Sequence, residues 1–306
     1  MVGVVERIAP SELKRALSVV LAGPQAQRRA SAQQVRGFLT YLQQSAAEWE
    51  GWRDGPAAAP TALLLALRLP GRTALLMPAA PGALGIDYEA QRALTAAGLT
   101  ALQPEGLHYA QVLLEPEAAP KAALLTEVGF RRLAPLVYLE RDAVYPWVDP
   151  PAAESAEWIP YSAARHGDFA RVVLGTYEES HDCPELAGLR PIEDVLAAHR
   201  AAGRFEPRLW ELARVDRQLA GVLLAAELTG RSMLEIVYMG VLPGARGRGV
   251  GGLLLRRALE QSRAAGVRQL AAVVDDRNAP AKHLYARFGL APVARRDAWL
   301  YRWSTR

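Results

Sequence analysis

Hydrophobic positions in the second half of the chain change period several times, and each change marks an element. Residues 208–215 (RLWELARV), 218–228 (QLAGVLLAAEL) and 232–241 (SMLEIVYMGV) are short apolar or alternating runs broken by turn residues. That pattern predicts three strands in succession, paired antiparallel. From 252 the period lengthens: Leu254, Leu255, Ala258 and Leu259 share one helical face, while Arg256, Arg257, Glu260 and Arg263 share the other, with Gly266 as a stop. Upstream, 157–163 reads as extended, and 164–177 and 191–202 as helices, the second with Pro191 where a first-turn proline belongs. Downstream, the continuous apolar run 268–276 suits a strand covered on both faces. Residues 278–289 suit a helix with Asn278 as N-cap, Pro280 in its first turn and Gly289 just past its end. Two final strands are expected near 290–296 and 298–303.

The same order recurs in the first half. Setting 113–141 against 273–302 superposes Ala119-Pro120 on Ala279-Pro280 and Gly129 on Gly289. A hairpin over 62–79 and a helix from 88 precede that block, so the first half reads as a second copy, with a boundary in the proline-rich stretch 145–156. The expected architecture is therefore α/β in two tandem domains, 1–150 and 151–306. Each is a mixed, mostly antiparallel twisted sheet flanked by helices.

Composition narrows the class. No run of about 18 apolar residues occurs and the first residues carry charge, which predicts a soluble cytoplasmic protein with no membrane partner. The net charge of +4 is spread without a Lys/Arg block, which suits an anionic small molecule and gives no reason to expect nucleic acid. Cys183 is the single cysteine, which excludes an intrachain disulfide and leaves too few soft ligands for a thiolate zinc site; no metal is expected.

The chemistry concentrates in VLPGARGRGVGG, residues 241–252, between a predicted strand and a predicted helix. Glycines there let successive backbone N–H groups converge on an anion, and the helix start adds partial positive charge at the same point. Gly247, Gly249 and Gly252 satisfy the dinucleotide fingerprint G-x-G-x-x-G, but that motif belongs early in a parallel βαβ series, whereas antiparallel strands precede this loop. The remaining pattern is Arg246-x-x-Gly249-x-Gly251.

With that loop and the segment Asn278, Ala281, Leu284, Tyr285 and Gly289, residues 155–306 resemble the GNAT acyltransferase superfamily, and the whole chain resembles its tandem members. The resemblance implies two GNAT-like domains, the first degenerate and non-catalytic, the second an N-acetyltransferase domain binding acetyl-CoA as co-substrate. It implies cofactor contacts at Met239, Val241, Arg246, Gly247, Arg248, Gly249, Val250, Gly251 and Asn278. It also implies Glu235 as general base and Tyr285 as the acid that protonates the departing thiolate. The residues give Glu235 independent support, since a carboxylate among apolar neighbours in MLEIVYMGV has its pKa raised toward a useful range. For Tyr285 a packed core aromatic stays open as the other reading, and for Asn278 a simple N-cap.

The stretch 176–190 joins two predicted helices and holds Tyr177, His181, Asp182 and Glu185. Its acidity suits a cationic amine, and in the implied arrangement it borders the acceptor pocket. The expected activity is acetyl transfer from acetyl-CoA to a primary amine of a small molecule by direct attack, in a monomer or homodimer. A CoA-binding protein without catalysis and a mycothiol-synthase-like acetyltransferase stay open beside it.

Overall fold

The computed structural model describes residues 5–23, 28–103, 106–143, 155–228 and 230–303. Its elements in chain order are β1 (Glu6–Arg7), α1 (Leu13–Val20), α2 (Ala32–Gln44), β2 (Glu48–Asp54), β3 (Ala62–Leu69), β4 (Thr73–Pro78), α3 (Tyr88–Leu102), β5 (Tyr109–Leu114), α4 (Ala119–Glu127) and β6 (Arg131–Asp142). There follow β7 (Glu157–Pro160), α5 (His166–Thr176), α6 (Ile192–Arg200), β8 (Trp210–Val215), β9 (Gln218–Leu228), β10 (Met233–Val241), α7 (Val250–Ala264), β11 (Gln269–Asp275), α8 (Ala279–Arg287) and β12 (Ala291–Tyr301). None of the described helices is long and apolar enough to cross a membrane.

The chain forms two compact units. Unit 1 holds Met1–Leu133 with Arg296–Arg306, and unit 2 holds Ala134–Arg295. Most of the boundary expected from the sequence, 144–154, lies outside the described residues. Membership follows strand pairing. In unit 2 the order is β6-β11-β10-β9-β8-β7, with β11 antiparallel to β6 from Gln269↔Asp142 to Asp275↔Leu136. Unit 1 runs β1-β2-β3-β4-β5 and then the end of β12, which pairs antiparallel with β5 from Asp297↔Leu114 to Tyr301↔Ala110.

Central strands in both units are apolar on both faces because helices cover both. In β3, Leu64 and Ala66 pack with Leu94 and Leu99 of α3, while Leu63 and Leu65 pack with Leu17 and Val20 of α1. In β9, Leu223 and Ala225 join the core under α7, and Val222 and Leu224 join the one under α5. Alternation along a strand makes two cores from one run of leucines.

The three strands β8, β9 and β10 are antiparallel neighbours, as their sequence pattern predicts. The end of the chain differs from the expectation of two strands: β12 is continuous over Ala291–Tyr301. Arg295, Arg296 and Asp297 break the apolar pattern, but the strand runs on through them, and ion pairs of Arg295 with Asp276 (2.8 Å), Arg296 with Glu115 (3.3 Å) and Arg132 with Asp297 (2.7 Å) occupy their charges.

Candidate active site

The site is built where two parallel strands of unit 2 part. β10 and β11 pair from Met233↔Gln269 to Ile236↔Ala272 and no further, although β10 continues against β9 as far as Val241↔Gly221. The β9–β10 register shifts between Ile236 and Tyr238, the mark of a bulge, which adds local twist and turns the strand away from its neighbour. One backbone edge of 237–241 is thereby left without a strand partner. Met239 and Val241 lie in this freed stretch, half-buried, with side chains against the α7 core.

The glycine loop follows directly. Gly247 and Gly249 take left-handed φ angles of 75° and 80°, and Gly249 is the N-cap of α7 with no side chain to cap it. The first amides engaged by the helix are those of Gly252 and Leu253, both donating to the Gly249 carbonyl. The N–H groups of Gly247, Gly249, Val250 and Gly251 take no acceptor among the described residues, and a Cβ at Gly247 would meet open space. Gly251 has a different reason: a Cβ there would stand 3.0 Å from Leu284, so it serves the close approach of α7 to α8.

The two arginines of the loop are engaged. Arg246 donates through its guanidinium to the carbonyls of Val241 (3.2 Å), Thr176 (3.2 Å) and Glu178 (2.6 Å), which ties the loop to the end of α5. Arg248 pairs with Asp216 in the β8–β9 turn. Only the backbone of Arg246 is left for the expected cofactor contact.

Glu235 faces away from the α7 side of the sheet. Its neighbours Leu234 and Ile236 belong to the core that holds Val250, Leu254 and Tyr285, so Glu235 lies on the α5 face with Tyr238. Burial pushes its carboxyl up to about 7, against a smaller opposing pull from Arg231, and no hydrogen bond holds it among the described residues. Tyr285 is buried in the α7 core; desolvation, with a smaller contribution from Asp182, raises its phenol well above the ordinary value. It therefore keeps its proton at neutral pH. Its hydroxyl also has no partner among the described residues.

The 176–190 connection is fastened to the turn after β11. Asp182 accepts from the Asp275 amide (2.9 Å) and hydrogen-bonds the Asn278 side chain. Asp275, fully buried, accepts from the Cys183 amide (3.1 Å) and from Arg277, whose other edge grips both oxygens of Glu185 at 2.7 and 3.0 Å. Asp182 and Glu185, expected to face an acceptor, are thus taken up in holding the loop. His181 is exposed, and Tyr177 packs edge-on against Tyr238 with ring centroids 5.8 Å apart. Asn278 does cap α8, accepting from the Ala281 amide at 3.2 Å. Among the described residues no cluster of His, Cys, Asp and Glu suits a metal.

Three residues at the site escape a reading by sequence. Tyr238 sits in an apolar run and reads as core, yet its hydroxyl lies 2.6 Å from Thr176 Oγ1. Since Thr176 Oγ1 already donates to the Val173 carbonyl, Tyr238 is the donor in that pair. His199 stacks on Tyr238 with centroids 5.3 Å apart; burial drives it down to about 3, so it is neutral, and its Nε2 has no partner among the described residues. Arg277 carries no signal beyond its position before the N-cap.

Residues 173–290 match the family model described as Acetyltransferase (GNAT) family. The matched residues lie within unit 2. Among curated relatives it is 34% identical over 191 residues to Mycothiol acetyltransferase of Beutenbergia cavernae, covering 57% of this chain and 61% of that protein. It is 35% identical over 86 residues to Streptothricin acetyltransferase of Streptomyces lavendulae, covering 28% and 46%. The chain therefore spans less than two thirds of either relative. Two solved structures share the fold over nearly the whole chain. One is a GCN5-related N-acetyltransferase from Sphaerobacter thermophilus (TM-score 0.67, 17% identity, 98% of this chain and 95% of that one). The other is a tandem GNAT protein from the clavulanic acid biosynthesis pathway (TM-score 0.56, 16% identity, 99% and 100%).

Proposed function

We propose that this chain is an acetyl-CoA-dependent N-acetyltransferase that acetylates the primary amine of a small molecule by direct attack in unit 2. The observation that carries the reading is the set of unengaged amides at Gly247, Gly249, Val250 and Gly251, opening beside the parted strands β10 and β11. Converging N–H groups at a helix start fit a diphosphate, and the uncapped Gly249 leaves that helix end to an external anion. Acetyl-CoA supplies an activated acyl group joined to such a diphosphate. The free backbone edge near Met239 and Val241 is suited to hold the extended arm of the donor by strand-like hydrogen bonds. The backbone of Arg246, Gly247, Arg248, Gly249, Val250 and Gly251 would hold its phosphates, with Asn278 fixing the start of α8.

Glu235, its carboxyl pushed up to about 7 by burial, takes the amine proton, directly or through water. Tyr285, protonated throughout the neutral range, gives its proton to the sulfur. The two groups lie on opposite faces of the sheet, and a gap between parted strands is the one place such groups serve together. Around the acceptor, Tyr177, Tyr238 and neutral His199 supply an aromatic, weakly polar wall, with His181 at its outer edge.

Unit 1 is read as non-catalytic. Asp87 accepts from the Ala90 amide at the start of α3, so a carboxylate already sits where unit 2 leaves its helix end open. Leu125 stands at the repeat position of Tyr285 and has no proton to give.

The two curated relatives are named for different compounds, mycothiol and streptothricin. An acceptor related to mycothiol is the favoured special case, because that match spans the larger share of this chain. The test is purified protein with acetyl-CoA against amines, amino acids, polyamines and aminoglycosides, following free thiol, with calorimetry of CoA alongside. Turnover with an amine supports the reading. Tight CoA binding without turnover across the panel assigns a non-catalytic CoA-binding role, and absence of binding removes both.

A further inference from the structure

A polar cluster of unit 2 lies at the far end of α5 from the glycine loop. Tyr161 follows β7 directly, and its amide donates to the Trp210 carbonyl (2.8 Å), which fixes its backbone against β8. Its phenol oxygen accepts from Arg200, the last residue of α6, at 2.6 Å. The same oxygen lies 3.0 Å from Nδ1 of His166, the first residue of α5. Nε2 of that imidazole lies 2.7 Å from a carboxylate oxygen of Glu193, in the first turn of α6.

Arg200 can only donate, and the Glu193 carboxylate can only accept. Between them one order satisfies every contact: Arg200 donates to the phenol oxygen, the phenol O–H donates to Nδ1, and Nε2–H donates to Glu193. When the phenol proton crosses to Nδ1, the phenolate is left against the Arg200 guanidinium and the imidazolium against the Glu193 carboxylate, so each new charge meets an opposite one. A nucleophile, its base and the group that orients the base thus stand within hydrogen-bond reach of one another.

The surroundings are aromatic. The rings of Phe169, Phe205 and Trp210 stand edge-on around the half-buried Tyr161, with centroids 5.2, 5.7 and 5.6 Å away. Arg200 is exposed, and its other N–H groups have no acceptor among the described residues. At about 1.5 Å per residue, α5 sets this cluster about 15 Å from the end of the helix to which Arg246 is tied.

We propose that Tyr161 is a second reactive centre of this chain, a nucleophilic tyrosine that takes the acyl group of aryl esters. The phenol oxygen attacks the ester carbonyl as its proton passes to His166 Nδ1, and the free N–H groups of Arg200 hold the tetrahedral oxyanion. The C–O bond to the aryl group then breaks, and His166 returns the proton to the departing oxygen, leaving an O-acyl tyrosine. Glu193 acts through His166 as a positioning residue. No step uses acetyl-CoA or the 247–251 loop, so the assignment stands or falls apart from the acetyltransferase reading.

The experiment treats the full chain with p-nitrophenyl acetate, follows release of nitrophenol by absorbance and locates the acetyl group by peptide mass spectrometry. Tyr161 is expected to acetylate at least about tenfold faster than the exposed Tyr41 of α2. Tyr161→Phe removes the label, and His166→Gln slows it on the order of 100-fold. Glu193→Gln slows labelling while the unfolding midpoint stays in place, and nitrogen NMR of the parent finds the His166 proton on Nε2. A Tyr161 no faster than Tyr41, a rate unchanged in His166→Gln, or a neutral His166 with its proton on Nδ1 overturns the assignment. Where a variant fails to fold, the comparison of Tyr161 with Tyr41 in the parent still decides.

Discussion

Glu235 answers to two opposed requirements, because the burial that makes its carboxyl a useful base also weakens the fold. Its pKa rises from 4.5 to about 7, so between those values the folded chain holds a proton that the unfolded chain has released. Stability contributed by this site therefore falls as pH rises through that window and stays lost above it. Glu235→Gln keeps the shape and cannot ionise. Above pH 7 the variant is expected to be more stable than the parent by about 1–3 kcal/mol, read from denaturant midpoints. Its turnover is expected to fall on the order of 100-fold with CoA affinity unchanged, while the parent's kcat/KM rises through about pH 7. A less stable variant, or one with full turnover, would show a carboxylate held by bonds rather than waiting for a proton. At this scale Glu235 and Asn278 were legible because their signals are local, a carboxylate in an apolar strand and an amide before Ala-Pro. Asp182 and Glu185 were not: they meet Asp275 and Arg277 across 92 or 93 residues, and acidity alone does not reveal a partner so far along the chain.

Among elements, the two helix starts that follow equivalent strands differ in one atom group, a carboxylate at Asp87 and a bare Gly249. Asp87→Ala should cost unit 1 about 1 kcal/mol, as loss of a cap does, without altering CoA binding. Gly249→Asp brings a side chain and a negative charge into the open end of α7 and should weaken CoA binding at least tenfold, measured by calorimetry on folded protein. Equal affinity would detach the phosphate role from this loop. Arg277→Ala leaves Asp275, with no exposed surface, lacking its cation. The expected loss is about 3 kcal/mol or more, with the 177–191 connection released first and seen as early amide exchange. Helices and strands were readable because period and caps are written in adjacent residues. The continuity of β12 was not, since the partner that carries the strand through Asp297 is β5, far upstream.

For the molecule as a whole, the two units do not coincide with two lengths of chain. β6 lies before the proline-rich stretch yet pairs with β11, and Val137 and Leu139 pack in the α7 core. A fragment 134–295 is expected to unfold cooperatively, whereas 151–306 lacks β6, exposes the edge of β11 and should be molten or aggregated, as circular dichroism and denaturant titration would tell. A cooperative 151–306 fragment would make β6 dispensable. Calorimetry of the full chain should find one CoA per chain, and two equivalent sites would contradict the capped start of α3. The membership of β12 also bears on how the protein is made. Unit 1 begins to leave the ribosome first, but β5 waits for residues 297–301, which emerge only after every strand of unit 2 has been synthesised. At about 5–20 residues per second, the edge of β5 stays bare for many seconds on the nascent chain. The half that is translated first is thus the half that closes last, and during that interval it is the part most in need of a chaperone.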